Sequence, residues 1–284
     1  MSRRKKANIR KMQVYHDYYC RLKNIALACF EWDGLPNTCN QKFLEKCLYS
    51  YGSAIFVNDK NLGFLNLKVT PSSEMNVYEE YTYFNAFSVG YNEFYKADEC
   101  VYIRNNMLEK STESTTILFA ERLAKIQLAI EMNVNAQKTP FLILCDDKSK
   151  LSLERLFEQY EDDIPVIFGS KTLYENPVQN IVTNAPFVAD KLREEKRAVL
   201  DEYLEFLGIN TNPSNRKKER LIIDEVQSNN EEIEVQANSL MLTRQEACME
   251  INEKFGLNVS VKKRFDEKGV DDNGELYDRA KRDS

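Results

Sequence analysis

The sequence predicts an α+β fold, on three observations. Apolar residues recur at helical spacing along several segments. Residues 54–100 instead carry short apolar and aromatic runs of the kind strands favour. A strand–helix–strand pattern of roughly 30 residues then sits between two long helical patterns, like a small cap on a stalk. With 284 residues, 43% of them apolar, the chain is long enough for one large domain or two modest ones. Charged residues make up 30% and there are only nine Gly and seven Pro, which excludes a collagenous, low-complexity or wholly disordered chain.

Residues 1–11 carry Arg3, Arg4, Lys5, Lys6, Arg10 and Lys11 and are expected to form a flexible basic arm. No apolar core follows it, so it does not read as a signal peptide. A helix is predicted over about 12–32, with Tyr15, Tyr18, Tyr19, Leu22, Ile25, Ala26, Cys29 and Phe30 on one face, ended by Gly34 and Pro36. A second covers about 40–51, capped by Asn40 and stopped at Gly52. Residues 54–57 and 62–69 read as a hairpin around Asn58-Asp59-Lys60-Asn61. The aromatic cluster from Tyr78 to Tyr95 predicts further strands of a small barrel or sandwich. A long helix over about 115–137 is apolar over so much of its circumference that it should pack on more than one neighbour.

Beyond Pro140 the small insert comprises strand 141–145, helix 152–160 and strand 166–168. A helix over about 186–207 is stopped by Gly208. Residues 210–215 read as a loop leading into the basic cluster Arg216-Lys217-Lys218-Glu219-Arg220; 221–226 then read as a strand and 227–230 as polar connection. Thr243-Arg244-Gln245-Glu246 has the form of a capping box and predicts a helix start, with the helix ending at Gly256. Leu257, Val259 and Val261 alternate as a last strand, and 266–284 read as a disordered charged tail. No stretch is long and apolar enough for a membrane span.

Several chemistries are unsupported. The seven Cys are Cys20, Cys29, Cys39, Cys47, Cys100, Cys145 and Cys248; an odd number without C-x-x-C spacing points to a reducing compartment, and because they mostly lie in apolar helix or strand patterns they are expected to serve as buried small hydrophobes. His16, the single histidine, leaves no multi-His zinc site or usual catalytic triad and is expected to pack in its aromatic face. Gly169-Ser170-Lys171-Thr172 lacks the upstream glycine of a phosphate-binding loop and reads as a turn. The pairs Asp146-Asp147, Asp162-Asp163 and Asp271-Asp272 read as solvated turns, since neighbours in sequence diverge. No catalytic residue, metal site or cofactor is predicted.

The 186–207 helix is acidic on one side. At 100° per residue Asp190, Glu194, Asp201 and Glu205 share an arc of roughly 60°. Val188, Leu192, Val199, Leu200, Tyr203, Phe206 and Leu207 take the opposite side, and Glu195 and Glu202 flank the stripe. Such a face is either a solvated surface or one built to repel polyanions; the basic cluster after it would attract them. The net charge of −6, from 39 basic and 45 acidic residues, argues against a protein that simply coats DNA.

Taken together, these segments resemble the upper collar protein (the portal, or head-to-tail connector) of small, short-tailed, protein-primed phages of the Picovirinae type. The resemblance is carried by Phe30-Glu31-Trp32-Asp33-Gly34-Leu35-Pro36, Phe43-Leu44-Glu45-Lys46, Asn135-Ala136-Gln137-Lys138-Thr139-Pro140 and Pro165-Val166-Ile167-Phe168. It continues through Ala185-Pro186, Asp190-Lys191-Leu192, Phe206-Leu207-Gly208-Ile209, Lys217-Lys218-Glu219-Arg220, Asp224-Glu225-Val226 and Glu246-Ala247-Cys248, in the same order.

The resemblance implies a portal fold assembled as a homododecameric ring, with long stem helices, a β-rich SH3-like wing and a strand–helix–strand clip. The corresponding parts are an N-terminal arm (1–11), wing with N-terminal helices (12–114), stem helix (115–140), clip (141–184), second stem helix (185–208), channel loop (209–230), wing return (231–265) and tail (266–284). It implies DNA contacts from Lys191, Arg216, Lys217, Lys218 and Arg220, repulsion from Asp190, Glu194, Asp201 and Glu205, and an arm whose Arg3, Arg4, Lys5 and Lys6 meet a packaging RNA and capsid. A second channel-lysine position of the family is Val182 here. The implied partners are the double-stranded DNA genome, major capsid and scaffolding proteins, a lower collar or tail protein and a packaging ATPase, with no membrane. The implied place is the virion collar, assembled in the bacterial cytoplasm. The competing readings are a collar or adaptor protein that never meets DNA, and a metal-dependent nuclease using Asp146, Asp147, Asp162 or Asp163.

Overall fold

A computed structural model describes residues 3–137, 141–145, 166–170, 178–180, 186–209, 223–264, 268–270 and 276–278, with side chains over 8–137, 186–209 and 239–264. In chain order the elements are α1 (Arg3–Ala28), β1 (Phe30–Asp33), α2 (Gln41–Tyr51), β2 (Ser53–Asp59), β3 (Gly63–Pro71), β4 (Tyr83–Ser88), β5 (Tyr91–Lys96), β6 (Cys100–Arg104) and α3 (Glu113–Ala136). They continue as β7 (Phe141–Cys145), β8 (Val166–Ser170), β9 (Val178–Asn180), α4 (Ala189–Phe206), α5 (Ile223–Phe255), β10 (Ser260–Lys263), β11 (Lys268–Val270) and β12 (Leu276–Asp278). Met1–Arg122 with Val199–Ser284 form one compact unit, and Leu123–Ala198 form another.

In the first unit the predicted hairpin forms as expected: β2 and β3 pair antiparallel from Ile55↔Leu67 to Asp59↔Gly63. Asp59 turns the chain by accepting the Asn61 and Leu62 N–H groups at 2.8 and 2.9 Å. The aromatic segment adds strands in the antiparallel order β5-β4-β3-β2-β6. β3 pairs with β2 through residues 63–67 and with β4 through 68–71, Phe84 of β4 stacks on Tyr102 of β6 at 4.9 Å, and Tyr91 of β5 donates to Asp59 of β2 at 2.8 Å, so the sheet curls on itself as the expected small barrel. Its two faces are filled by alternation. Ile55, Val57, Leu67, Val69 and Phe84 make one core. On the other face Phe56 and Phe64 meet Phe255 of α5 at ring distances of 5.6 Å each.

Helix α2 starts and stops where its sequence says. Asn40 caps it by accepting the Phe43 N–H at 3.0 Å. Gly52 ends it at φ +83°, where an added Cβ would lie 2.3 Å from the Glu109 carbonyl oxygen, so both conformation and space require glycine.

Other boundaries differ from expectation. Helix α1 already begins at Arg3, because Arg, Lys, Ala and Met favour helix and no Gly or Pro interrupts them; residues 3–11 are helical rather than a flexible arm. It stops at Ala28, and Phe30–Asp33 leave it to pair antiparallel with β10, burying Phe30 and Trp32. Residues 223–230, expected as strand and connection, belong to the 33-residue α5. Six residues, four of them apolar, cannot distinguish strand from helix, and no Gly or Pro in 223–255 breaks a helix. The capping box does not start a helix either: Thr243 lies inside α5, where its Oγ1 bonds back to the Leu240 carbonyl (3.3 Å) and across to that of Asn105 (3.3 Å), and Glu246 pairs with Arg104 at 3.4 Å. In the tail, β11 and β12 pair antiparallel, so 266–284 are not wholly disordered.

In the second unit β7 pairs parallel with β8, from Phe141↔Val166 to Cys145↔Ser170, as a strand–helix–strand crossover requires. Gly169 and Ser170 thus sit in a strand, not a turn. The expected helix 152–160 lies outside the described residues. Strand β9, too short to show in the sequence, pairs antiparallel with β7.

One buried charge cluster ties the first unit together. Arg244 of α5 donates from Nε and Nη2 to Glu45 of α2 at 3.0 and 2.9 Å, and from Nη1 to the carbonyls of Asn105 and Leu240. Trp32 of β1 donates to Glu45 at 2.8 Å, and the guanidinium lies 4.0 Å from the Phe30 ring centre. Both charged side chains are under 5% exposed. Arg244→Met strands the Glu45 carboxylate and is expected to cost about 3–5 kcal/mol in denaturant unfolding. The double variant Glu45→Met/Arg244→Met should recover part of that loss.

Candidate nucleic-acid interface

The acidic stripe was predicted from helix periodicity, so its placement starts with what α4 buries. Val199, Tyr203 and Leu207 are inward. Tyr203 Oη lies 3.0 Å from Thr116 Oγ1 of α3 and donates to the Leu22 carbonyl of α1 at 3.2 Å, with its ring 5.3 Å from that of Phe119. Burial pushes its phenol well above the ordinary range. Arg122 of α3 grips Glu202 of α4 through both nitrogens, at 2.9 and 3.1 Å. Within the second unit Lys196 donates to Gln127 at 3.0 Å. There Asn133 brackets the entry to α4, donating to the Pro186 carbonyl (2.9 Å) and accepting the Val188 N–H (3.0 Å).

The predicted site residues divide as follows. Asp190, Lys191 and Glu194 are exposed, while Asp201 and Glu205 of the same arc are half-buried. The stripe is therefore opposite the buried side of α4, as its spacing implied. It is less uniformly acidic than the four carboxylates suggest. Exposed Arg193 lies 3.8 Å from Asp190, and exposed Arg197 falls about 20° around the helix from it. Counting acids alone hid these two arginines; counting both signs along 189–206 (six acids, four basic residues) would have found them. Arg3, Arg4, Lys5 and Lys6 share the first turns of α1. Arg216, Lys217, Lys218 and Arg220 lie outside the described residues, as do Asp146, Asp147, Asp162, Asp163 and Val182. Among the described residues no three metal-ligating side chains come together.

His16 is not packed in the aromatic face. It is exposed, with Nε2 3.4 Å from Cys20 Sγ, because the face that α1 buries runs through Val14, Leu22 and Ala26. Cys29, Cys47, Cys100 and Cys248 are buried, as their apolar patterns imply, while Cys20 is exposed and Cys39 half-buried. Burial pushes the Cys47 thiol up to about 11 and those of Cys29, Cys100 and Cys248 to about 12, so they stay protonated and unreactive.

A second cluster fixes the start of α3 against α1. Lys23 Nζ lies 3.0 Å from both Glu113 Oε1 and Tyr19 Oη, Tyr19 donates to the same carboxylate, and Lys23 stands over the Tyr49 ring. Burial opposes the charge on Glu113, but hydrogen bonds from Tyr19 and Lys23 outweigh it and hold the carboxyl below its usual range. A depressed carboxyl stabilises the fold above its unfolded pKa and loses that contribution as pH falls through the folded value. Glu113→Gln is expected to remove about 0.5–1 kcal/mol at neutral pH and to flatten the acid limb of a thermal-stability profile below pH 5.

A family model described as Phage Connector (GP10) matches residues 2–267. Among solved structures the chain is similar to one in the portal and tail of native bacteriophage P68, at 13% identity over 92% of this chain and 90% of that one, with a TM-score of 0.49. It is also similar to a chain of a native gene transfer agent virion, at 9% identity over 90% and 84% (TM-score 0.46). A third is an HK97-family phage portal protein from Corynebacterium diphtheriae, at 9% identity over 89% and 93% (TM-score 0.43). No helix among the described residues is long and apolar enough to cross a membrane.

Proposed function

The chain belongs to the phage connector family, and from that premise we propose how its parts serve the passage of DNA. It is a head-to-tail connector, or portal, with its place at the collar of the virion. The family match over residues 2–267 carries this reading. In our proposal about a dozen copies close into a ring through heterologous contacts, one patch on each side of the subunit. Exposed Ile117, Leu118 and Met132 on α3 supply apolar surface for such contacts. We assign the wing to 12–114 and 231–265, the stem to α3 and α4, the clip to 141–184 and the channel segment to 209–230, whose last residues, 223–230, already begin α5.

The exposed side of α4 then faces the duplex. A helix of its length spans roughly 27 Å, opposite on the order of 16 phosphates. A uniformly basic wall would hold them through counterion release, and translocation would stall. Asp190, Glu194, Asp201 and Glu205 keep the duplex off the wall, while Lys191, Arg193 and Arg197 give it local, sequence-independent guidance. Arg216, Lys217, Lys218 and Arg220 act as a brake on packed DNA. The basic start of α1, with Arg3, Arg4, Lys5 and Lys6, meets capsid and a packaging RNA. Scaffolding protein, lower collar and a separate packaging ATPase complete the set of partners. The chain itself is structural, with no reaction and no cofactor of its own.

The mass of the purified particle tests the ring: about a dozen copies are expected, and a stable monomer overturns the reading. Replacing Arg216, Lys217, Lys218 and Arg220 together by Gln should leave that mass unchanged and reduce retention of packaged DNA several-fold. Full genome retention by the variant rejects the brake.

A further inference from the structure

Two loops of the first unit share one construction. In Asn76-Val77-Tyr78-Glu79-Glu80 the Asn76 Oδ1 accepts the N–H groups of Tyr78 and Glu80 at 2.8 and 3.0 Å, and its carbonyl accepts that of Glu79. In Asn106-Met107-Leu108-Glu109-Lys110 the Asn106 Oδ1 accepts those of Leu108 and Lys110 at 3.1 and 3.0 Å, and its carbonyl that of Glu109. The fourth residue of each is left-handed, Glu79 at φ +64° and Glu109 at +55°. Each loop therefore holds two adjacent apolar side chains out in water on a fixed backbone. Val77 and Tyr78 are 90% and 81% exposed, Met107 and Leu108 61% and 77%.

The charges around the two loops are opposite. Between Lys68 and Lys96 the chain has no basic residue, and the first loop is rimmed by exposed Glu74, Glu79 and Glu80. The second carries exposed Lys110 and adjoins Gly52, the residue after exposed Tyr51. Lys68 stands 5.1 Å over the Tyr51 ring, and exposed Lys46 lies on the same helix as Tyr51. The pairings Ser53↔Arg104 and Pro71↔Phe84 put both loops at the same end of the sheet, one off β3 and β4, the other off β6. One subunit thus presents an acidic apolar knob and, beside it, a basic apolar seat.

Resting on the ring reading above, we propose that the Asn76–Glu80 loop of one copy docks on the Tyr51/Leu108 surface of the next copy. The aromatic and aliphatic tips supply the buried centre, with Tyr78 as anchor, and the glutamates and lysines form the rim that sets register. Knob on seat repeated in one direction closes a ring through heterologous contacts; met reciprocally, the same two patches would close a two-fold dimer, and particle mass tells the two apart. Both loops are already rigid, so docking orders little new backbone.

Charge exchange tests it on the full chain, read as particle mass. Glu74→Lys/Glu79→Lys leaves the Asn76–Glu80 bonds in place and makes knob and seat both basic; Lys68→Glu/Lys110→Glu makes both acidic. Each variant alone is expected to lose ring population by on the order of ten-fold at low salt. Mixed one to one, the two variants should form rings of alternating subunits, and the fourfold variant should form rings by itself. Rings of parental mass from either charge-reversed variant alone would reject the docking while leaving the ring reading intact. Failure of both the mixture and the fourfold variant to form rings would reject it as well. A parental chain that stays monomeric would overturn the ring reading and the docking with it.

Discussion

The first unit is organised around a charge that has no access to water. Removing a guanidinium and a carboxylate from solvent is costly unless nearly every polar atom is met. Here Glu45 receives Arg244 and Trp32, and Arg244 also reaches Asn105 and Leu240. Four chain segments far apart in sequence must be in place at once for that to happen. Apolar packing tolerates small slips; this network does not, so it selects one register of α5 against α2 and β1. The seat loop and the start of α3 inherit their positions from that register through Asn105, which also bonds Lys110 and Thr112.

The same logic separates what could be read from the sequence from what could not. Short-range signals served well: Asn40 and Gly52 bound α2, Asp59 turns the hairpin, and Gly208 and Gly256 mark helix ends, each acting within a few residues. The acidic arc of α4 followed from periodicity alone. Errors arose where a distant partner decides. Phe30–Asp33 continue a helical apolar pattern and become a strand only because β10 lies beside them. Thr243 and Glu246 have a cap's spacing, yet Asn105 and Arg104 engage them inside a continuous helix. Within that motif Arg244 is an intervening position to which the capping pattern assigns no role. Nothing local marks an arginine as the centre of a core.

On α4 a similar tension operates between charge and packing. Its inner side is set by Tyr203, whose hydroxyl bridges toward α1 and α3. The opposite side carries mixed charge, with Asp190, Arg193, Glu194 and Arg197 exposed and Asp201 and Glu205 half-buried. Glu202 is held by Arg122, so the helix is also fastened along its edge.

The β1–β10 ladder has a mechanical consequence. Phe30, just after α1, pairs with Lys263, and the Arg264 N–H bonds to the Cys29 carbonyl at 2.9 Å, so both outer ends of the chain leave the ladder at its same end. A pull between α1 and the C-terminal segment loads these rungs one after another, like a zipper, and opens them at low force. Tension entering from the Asp33 and Ser260 end reaches the opposite rungs first, so the direction of strain decides which end of the ladder parts.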